Sequence, residues 1–464
     1  MMQRRSGQRI VAAVALLILA SAVIALRIYN ARATRTLERA YVPKKERITP
    51  EIRLLQQYVR IDTSNPPGNE LEGARWLASL LEKNGIPYEI IEAAPRRANL
   101  YARIKGKSSN SGLLLLNHID VVPARREEWS LPPFAADIRL NLLHGRGTLD
   151  MKGIAVCQLL AFMDVARSGR TPEHDIVFLA TADEERGSAF GTRWLIQNRP
   201  DVFAGVRYAL SEGGVTEMQL EELRYIGIEI GGKQVTTVDV AAPTRETLQR
   251  LRIALEPHFI PADADRVLPG VAAYFAAIAP LRVENKDLFA DVHRTISSGK
   301  FWLLPVNYRA LLQNSLWAGG VRQEGSEYRM RVSFFNLPDE VPQRRIDWVE
   351  QLARKEGARV IIMQKEGPVP LSSFETPLFS LLRRQVMQTY PGAAVGPYVL
   401  TTSTNDCRFL RQKGIHCYGF QPFPVDYFQS FSIHGVDERV RLDWFTSGAE
   451  LMRRVVRTYA EAGS

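Results

Sequence analysis

Four short segments of the sequence combine acidic or imidazole side chains with positions at which binding sites commonly form. Three of them directly follow an apolar run that predicts a strand, and the fourth is a glycine-flanked loop before a predicted helix. These segments are Asn117-His118-Ile119-Asp120, Gly145-Arg146-Gly147-Thr148-Leu149-Asp150-Met151-Lys152-Gly153, Asp183-Glu184-Glu185 and Ser211-Glu212-Gly213-Gly214. In open α/β sheets, ligands bind beyond the carboxyl ends of the strands. An isolated His-x-Asp is weak evidence, but four such segments in chain order indicate one composite site.

The side chains in these segments suit a pair of divalent metal ions. Imidazole combined with several carboxylates is typical of zinc, and two ions roughly 3.5–4 Å apart need a carboxylate that bridges them and offsets their repulsion. We predict that Asp150 is this bridge. His118 and Glu212 then complete the site of one ion, while Glu185 and His434 complete the other. The sequence therefore predicts two Zn²⁺ ions as cofactors, with Co²⁺ and Mn²⁺ as possible substitutes.

Two further carboxylates have predicted roles beside the metal ligands. Adjacent side chains on an extended backbone point in opposite directions, so Glu185 can hold a metal while Glu184 faces the attacking water. We predict that Glu184 is the general base and later returns the proton to a leaving amine. Asp120 follows His118 by two residues and can accept the other ring N–H, which would fix the tautomer of the imidazole.

The strands that position these residues are predicted from continuous apolar runs. A run such as Leu113–Leu116 is typical of a strand that is buried on both faces, with helices on either side of a sheet. We therefore expect an α/β fold with a mixed, largely parallel sheet. The predicted strands are Tyr88–Ile91, Leu100–Ile104, Leu113–Leu116, Ile176–Ala180 and Val206–Leu210, and the predicted helices include Leu71–Asn84 and Gly153–Arg167.

A change of pattern in the middle of the chain predicts a second, smaller domain. Tyr328–Phe334 alternates between apolar and charged side chains, which indicates a half-exposed antiparallel strand. Helices predicted at Arg245–Leu255 and Glu340–Lys355 accompany it, so we expect an inserted α+β domain. The predicted domains are a membrane anchor and linker at 1–47, a first part of a catalytic domain at 48–232, the insertion at 233–365 and the second part of the catalytic domain at 366–464.

The N-terminal region predicts a membrane anchor. Ile10 to Leu26 form an uncharged apolar run of 17 residues between flanking arginines, at the short end of what spans a bilayer. A cleaved secretory signal is the alternative, with Ala20-Ser21-Ala22 as the cleavage site. We predict a single-pass N-terminal anchor with the catalytic domain on the non-cytoplasmic side, although the excess of Lys and Arg after the run alone would favour the cytoplasm.

The charge distribution argues against a nucleic-acid partner. The net charge is +10, but residues 1–50 carry ten Lys or Arg against two Glu, which leaves only +2 for the remaining 414 residues. The three cysteines, Cys157, Cys407 and Cys417, are widely spaced and odd in number. We therefore expect neither a disulfide framework nor a zinc knuckle, and interpret all three as packing residues.

Together with Ile433-His434-Gly435-Val436-Asp437-Glu438-Arg439, the segments above resemble the aminoacylase/carboxypeptidase zinc metallopeptidase family. This family includes aminoacylase, carboxypeptidase S, the N-fatty-acyl-amino-acid hydrolases and succinyl-diaminopimelate desuccinylase. The resemblance extends from about Thr49 to Tyr459 and implies a two-zinc catalytic domain with an inserted lid, through which homodimers often form. It is also consistent with the ligand, base and supporting roles assigned above.

The sequence departs from the family pattern in the lid. Family lids carry a histidine that reaches an active site, whereas Val240-Ala241-Ala242-Pro243 contains none, and His258 or His293 would have to replace it. In the catalytic part, Asp406 and Arg408 match a family segment and are either substrate-binding residues or a salt-linked pair that supports the fold.

The predicted function is hydrolysis of an amide or peptide bond next to a free carboxylate, in a small N-acyl amino acid or peptide. This describes an N-acyl-amino-acid hydrolase or a carboxypeptidase. The alternative is a membrane-tethered metal-containing binding protein that has lost turnover together with its lid histidine. Glu184 argues against the alternative, because it has no predicted role in a protein without catalysis.

Overall fold

The computed structural model describes residues 48–462 except 220–221, 256–265, 283, 366, 368 and 402–403. The larger of two compact units, Thr49–Asp137 with Leu143–Ser464, contains every candidate site residue, and the described part of the smaller unit is Ile48 and Ile138–Leu142. No helix among the described residues combines the length and apolarity that a bilayer span needs. The predicted anchor at 10–26 lies outside the described residues.

The described helices and strands agree well in position with the predicted ones. The helices are α1 Pro50–Val59, α2 Glu70–Glu82, α3 Lys152–Arg167, α4 Thr192–Asn198, α5 Arg245–Leu255, α6 Pro269–Ile278, α7 Lys286–Ala290, α8 Val292–Ser297, α9 Val306–Arg309, α10 Gln343–Lys355, α11 Pro377–Thr389, α12 Cys407–Arg411, α13 Tyr427–Ser430 and α14 Leu442–Glu461. The strands are β1 Tyr88–Ala94, β2 Arg97–Ile104, β3 Ser108–His118, β4 Asp137–Arg139, β5 Leu142–His144, β6 His174–Thr181, β7 Val206–Ser211, β8 Val215–Gln219, β9 Glu222–Gly231, β10 Gln234–Ala242, β11 Ser315–Glu324, β12 Glu327–Asn336, β13 Arg359–Lys365, β14 Ala394–Val399, β15 His416–Gly419 and β16 Arg439–Arg441.

A nine-stranded mixed sheet forms the centre of the larger unit. Its order is β1-β2-β6-β3-β7-β15-β9-β14, with β8 beside β9. The central strands β6, β3, β7 and β15 are parallel to one another, whereas β1–β2, β2–β6, β8–β9 and β15–β9 are antiparallel. The edge pair β9–β14 is parallel as well, so the sheet is mixed as expected, but parallel pairs equal the antiparallel ones in number and do not predominate. The short connections within β1–β2 and β8–β9 leave no room for a crossover, so these pairs must be antiparallel.

The faces of this sheet are covered by helices, which accounts for its apolar strands. Every residue of β6 is buried, and the predicted run Leu113–Leu116 of β3 is buried as well. Helix α14 packs against α3 and buries Phe445, Ala449, Met452 and Val456 at helical spacing. Burial on both faces keeps the strand ends, and the loops that follow them, in fixed positions.

A separate four-stranded sheet lies within the predicted insertion, in the order β11-β12-β10-β13 with antiparallel pairs throughout. Its core contains Val240, Val332, Leu251 and Ile346 from strands and from helices α5 and α10. The domain boundaries themselves remain a prediction. Helix α6, although it falls within the range 233–365, packs against β14 of the large sheet.

The interpretation of all three cysteines as packing residues is wrong for two of them. Cys407 and Cys417 form a disulfide with Cα atoms 5.2 Å apart, and only Cys157 is a free thiol, buried in α3. The prediction rested on the wide spacing and odd number of the three cysteines, and neither property excludes a single bond between two of them. In the structure, the chain turns after α12 and returns along β15, so the two side chains meet.

We expect the double variant Cys407→Ala/Cys417→Ala to lose about 2–3 kcal/mol of unfolding free energy, because the disulfide closes a loop of some ten residues in the unfolded chain. Urea unfolding with and without reductant measures this difference. Reductant should destabilise the wild type and leave the double variant unchanged, since the remaining thiol takes part in no bond. Equal sensitivity of both proteins to reductant would contradict the assignment.

Candidate metal centre

The carboxyl ends of three neighbouring strands bring predicted ligands together. His118 is the last residue of β3, Glu212 directly follows β7, and Glu185 follows the end of β6. Because β3 is parallel to both β6 and β7, these residues lie at one end of the sheet. Asp150 comes from the loop before α3, and His434 from the loop after α13. The structure therefore assembles all five predicted ligands in one place.

Asp150 lies between the two histidines. Its Oδ1 is 3.0 Å from Nε2 of His118, and its Oδ2 is 3.0 Å from Nε2 of His434. Glu212 Oε2 lies 3.6 Å from Nε2 of His118, and Glu185 Oε2 lies 3.1 Å from Nε2 of His434. The five side chains thus form two half-sites that share Asp150, which is the arrangement predicted for a bridged pair of ions.

The donor atoms of this cluster fit divalent cations. His118, Asp150 and Glu185 offer atoms that all lie within 4.8 Å of one another, and so do His118, Glu184 and Glu212. The Oε1 atom of Glu185 is buried and accepts no hydrogen bond from the described residues. A buried carboxylate oxygen without a donor is costly, and a coordinated cation removes that cost. Imidazole and carboxylate donors in this number suit Zn²⁺, Co²⁺ or Mn²⁺.

The electrostatics of the cluster favour added positive charge. Burial, followed by the nearby carboxylate of Asp150, raises the pKa of Glu212 to about 8. Hydrogen bonds with Asp150 and then with Glu185 raise the pKa of His434 to about 11. Although burial opposes its ionisation, hydrogen bonds from His118 and His434 hold the pKa of Asp150 well below its usual range. Bound divalent cations would supply the positive charge that offsets these closely packed carboxylates.

Asp120 contacts His118 through its backbone carbonyl, whereas the sequence predicted a contact through its carboxylate. The acceptor closest to Nδ1 of His118 is the backbone carbonyl of Asp120 at 2.9 Å, while the carboxylate oxygen lies 3.6 Å away. The carboxylate instead accepts the backbone N–H groups of Glu184 at 3.1 Å and Glu185 at 3.2 Å. Asp120 therefore orients the predicted base and one predicted ligand through their main chain.

A buried polar network behind Asp120 was missed by the sequence analysis. Asn65 donates to both Asp120 and Asp183, each at 2.9 Å. Arg97 donates to Asp183 at 2.7 Å and forms a bidentate pair with the buried Glu70 at 2.7 and 2.8 Å. Asp183 has a left-handed backbone with φ of 66°, which turns the chain sharply before the two glutamates. These contacts join residues up to 118 positions apart, so no local pattern predicts them.

Glu184 lies beside the predicted ligands and forms a long ion pair with Arg408. Its side chain is 12% exposed, and Oε1 is 3.9 Å from Nη1 of Arg408. Burial, followed by the charges of Glu212 and Asp406, raises the pKa of Glu184 well above its usual range. A carboxyl group in this position can both accept and return a proton.

Glu438 connects the two loops that carry Asp150 and His434. Its carboxylate accepts the backbone N–H groups of Gly147 at 2.9 Å, Leu149 at 2.7 Å and Asp150 at 3.2 Å. It also forms a buried ion pair with Arg146 at 2.7 Å, and Arg146 donates to the carbonyl oxygen of Gly435 at 2.6 Å. The resemblance had singled out both residues as part of motifs, but their contact with each other appears only in the fold.

We expect Glu438→Gln to lower the free energy of unfolding by about 3–5 kcal/mol, because it leaves the Arg146 guanidinium buried without its anion. Metal affinity should fall by about 10- to 100-fold, since the loop of Asp150 loses its support. Chemical unfolding and metal titration measure the two effects. Glu128→Gln, which breaks an exposed pair with Arg125, is the control and should change stability by less than about 1 kcal/mol. Equal effects of the two substitutions would contradict the role given to Glu438.

Both predicted substrate residues are buried close to Glu184. Arg408 lies on α12, 4% exposed, with its guanidinium 4.2 Å from the ring of Phe409. Asp406 accepts a short hydrogen bond from Ser188, and burial raises its pKa. The proximity of Arg408 to the predicted base leaves both interpretations open, a substrate contact and a structural pair.

The described part of the predicted lid contains one histidine, and the segment Val240-Ala241-Ala242-Pro243 contains none. Val240 and the residues after it end β10, and His293 is exposed on α8, while His258 lies outside the described residues. Two arginines of the lid sheet, one on β11 and one on β12, are paired with the same carboxylate. Arg322 and Arg331 both bind Asp239, at 2.8 and 3.0 Å.

The family model for peptidase family M20/M25/M40 matches residues 114–458, and the chain belongs to this family. The resemblance drawn from the sequence is thereby confirmed. The matched range includes all five predicted ligands and Glu184.

Curated relatives agree with this membership. A probable succinyl-diaminopimelate desuccinylase of Staphylococcus aureus (strain MRSA252) is 36% identical over 138 residues, which is 29% of this chain and 33% of the relative. The chain thus matches only about a third of the length of the desuccinylases. A probable carboxypeptidase S-like protein of Dictyostelium discoideum is 25% identical over 377 residues, covering 71% of this chain and 68% of the relative.

Solved structures share the fold at low sequence identity. An M20 family metallo-carboxypeptidase from Sulfolobus solfataricus has a TM-score of 0.68 at 16% identity and covers 89% of this chain and 99% of its own. Human carnosine dipeptidase 1 has a TM-score of 0.67 at 16% identity, with 88% and 96% covered. A Bacillus subtilis protein described as a dinuclear metal-binding peptidase of the M20 family has a TM-score of 0.53 at 12% identity, with 88% and 97% covered.

Proposed function

We propose that this protein is a di-zinc hydrolase that cleaves an amide or peptide bond next to a free carboxylate, as an N-acyl-amino-acid hydrolase or carboxypeptidase does. The observation that carries the proposal is the position of Asp150, whose two oxygens each lie 3.0 Å from a different histidine. A carboxylate shared in this way is the expected centre of a co-catalytic pair. The names of the carboxypeptidase S-like and desuccinylase relatives support the same class of reaction.

The five ligands would be His118, Asp150, Glu185, Glu212 and His434. Zn²⁺ ions, when bound there, supply Lewis acidity that polarises the acyl carbonyl and makes a water molecule more acidic. Glu184 accepts the proton of the attacking water and returns it to the nitrogen of the leaving amine. Asp120 holds the main chain of Glu184 in position through its hydrogen bond at 3.1 Å. Water adds to the acyl carbon and the C–N bond breaks. The nitrogen leaves with the proton returned by Glu184, and it also takes up the proton lost by the new carboxyl group, so the products are a carboxylate and an ammonium group.

The free carboxylate of the substrate needs a cation near the base, and Arg408 is the candidate. Its guanidinium lies within 3.9 Å of Glu184 and is almost fully buried, so an ion pair with substrate there would be poorly screened by solvent. Asp406 is close in sequence and would orient Arg408 electrostatically. Both residues are proposed substrate-binding residues.

Exposed apolar side chains beside the second half-site support an apolar group in the substrate. Phe428 and Phe431 are 67% and 65% exposed, and Ile433 and Val436 flank His434 with 36% and 46% exposure. Such a concentration of large apolar side chains next to a candidate active site is typical of a contact surface. It would suit an acyl chain or an apolar amino-acid side chain.

The location and assembly of the protein are further proposals. The apolar segment 10–26 is proposed as a single membrane anchor, with the catalytic domain on the non-cytoplasmic side. The disulfide between Cys407 and Cys417 supports this side, because such bonds persist in oxidising compartments. Pairing of two lids into a homodimer is proposed from family membership alone.

The test is the metal content of the purified full-length protein together with turnover on a panel of N-acyl amino acids and dipeptides. Two equivalents of zinc and hydrolysis of at least one panel member are expected. Two equivalents of zinc without any turnover would favour the metal-containing binding protein, which the lack of a histidine in Val240-Ala241-Ala242-Pro243 makes the second candidate. Protein that binds no zinc would refute both.

A further inference from the structure

Asn405 connects the loop that carries Glu212 to the start of helix α12. Its side chain is 4% exposed. Its Nδ2 donates to the backbone carbonyl oxygen of Glu212 at 2.9 Å, and its Oδ1 accepts the backbone N–H of Cys407 at 3.1 Å. Only the oxygen of the amide can accept from an N–H group, so these two contacts fix the orientation of the side chain. The loop of a predicted metal ligand is therefore hydrogen-bonded to the segment that contains Arg408.

A buried ion pair holds the other end of α12. Arg411, the last residue of this helix, pairs with Glu229 of β9 at 2.7 Å, and their side chains are 3% and 0% exposed. Arg411 also donates to the backbone carbonyl oxygen of Cys417 in β15 at 2.7 Å, while Glu229 accepts from Nδ2 of Asn405 at 3.3 Å. Both ends of α12 are thus bound to the large sheet, and a shift of this helix would leave buried polar groups without partners.

The turn after Glu212 approaches the Asn405 amide closely. Gly213 has φ of 116°, which lies in the region that favours glycine. A Cβ atom at this position would lie 3.2 Å from Nδ2 of Asn405 and 3.3 Å from Cβ of Glu229, which is closer than most carbon atoms approach in a folded protein. Glycine therefore allows the chain after the predicted ligand to lie directly against Asn405.

The loop of Glu185, in the second half-site, has support of its own. The Asp120 carboxylate accepts the backbone N–H of Glu185 at 3.2 Å, and Ser188 of the same loop donates to Asp406. Neither contact involves the Asn405 side chain, whose hydrogen bonds to described residues reach Glu212, Glu229 and Cys407. A change of the Asn405 side chain should therefore affect the half-site of Glu212 and leave the other unchanged.

We propose that Asn405 is a positioning residue for the half-site of His118 and Glu212, on which it acts through the backbone carbonyl of Glu212. The inference rests on the proposed function, because it takes Glu212 as a metal ligand. Groups that hold a metal ligand in place typically contribute 10- to 100-fold to metal affinity. Without the Asn405 donor, the Glu212 peptide would no longer be fixed, and the carboxylate would be free to leave the orientation that a cation needs.

The experiment is a competition titration of zinc against a chromophoric chelator, on full-length protein in two backgrounds. His434→Ala keeps the half-site of Glu212, and Glu212→Ala keeps the other. Asn405→Ala should weaken the zinc retained by His434→Ala by about 10- to 100-fold. It should change the affinity of Glu212→Ala by less than about twofold, as expected for independent sites. Asn198→Ala removes an exposed amide that donates to the Trp194 carbonyl at the same 2.9 Å, and this matched control should change neither affinity.

Asn405→Ser separates positioning of Glu212 from the local structure of α12. A serine hydroxyl can accept the N–H two residues later, as asparagine does, but it is too short to replace the amide nitrogen at Glu212. This variant should weaken zinc as Asn405→Ala does while melting close to the wild-type temperature, and it decides the question if Asn405→Ala does not fold.

Two results would overturn the inference and leave the proposed function intact. One is an unchanged zinc affinity when Asn405 is substituted in His434→Ala. The other is equal weakening in both backgrounds, which would indicate a general loss of structure. A wild-type protein that binds no zinc would refute the proposed function, and this inference with it.

Discussion

Glu184→Gln is expected to lower kcat by about 10³-fold while both metal ions remain bound. General base catalysis by a side chain contributes roughly 10²–10⁴ in rate, and the amide has the same shape as the carboxylate but cannot take a proton from water. Glu184 lies close to the candidate ligands and is 12% exposed, and its ion pair with Arg408 is long at 3.9 Å, so its loss should affect stability little. The measurement is steady-state kinetics on the best substrate of the panel, with metal content determined on the same samples.

The outcome for Glu184 separates three roles. Retained metal with lost turnover supports the base. Loss of one metal equivalent would instead make Glu184 a ligand. Its carboxylate offers an oxygen within 4.8 Å of donor atoms of His118 and Glu212, which permits this role. The control is Glu82→Gln, an exposed glutamate at the end of α2, which should change neither metal content nor rate. Unchanged turnover in Glu184→Gln would refute its catalytic role.

Asp150→Ala is expected to remove both ions, and His434→Ala only one. Asp150 is the only side chain among the described residues that lies 3.0 Å from both histidines, so each half-site loses a donor when it is replaced. Without the Asp150 carboxylate, no negative charge would lie between the two cations to offset their repulsion. Turnover should fall by at least about 10³-fold in Asp150→Ala, as expected when a metal-dependent nucleophile is lost.

Metal analysis after gel filtration distinguishes the two substitutions. His434→Ala should keep close to one equivalent, held by His118, Asp150 and Glu212. Its side chain is 53% exposed, so the substitution should disturb the fold little. If Asp150→Ala and His434→Ala lost the same amount of metal, Asp150 would not be a bridge, and the two half-sites would have to be assigned separately.

Much of the candidate site could be predicted because its candidate ligands, which the structure brings together, occupy recognisable places in the sequence. His118 and Glu212 follow buried apolar strands, and the parallel pairing of those strands brings the ends of both to one place. The glycines around Asp150 and the motif around His434 are also local features. Each of these signals spans fewer than ten residues, so a sequence displays it without reference to the fold.

The contacts that support the ligands could not be predicted in this way. Glu438 binds main-chain N–H groups 288–291 positions earlier, and Asp120 binds main-chain groups 64–65 positions later. A backbone N–H belongs to every residue except proline, so the sequence does not identify the one that is used. The packing of α6 on β14 and the disulfide of Cys407 with Cys417 depend on the same kind of nonlocal folding.

During synthesis, the residues of the two proposed half-sites are completed at different times, because the proposed ligands lie far apart along the chain. His118, Asp150 and Glu212 are all present once the ribosome has passed position 212, whereas His434 follows 222 residues later. At translation rates of about 5–20 residues per second, this interval lasts roughly 10–45 s. The nascent chain therefore carries one complete set of donors and one incomplete set throughout that time. A product that terminates before position 434 would lack both the proposed histidine ligand of the second half-site and helix α14, which packs on α3.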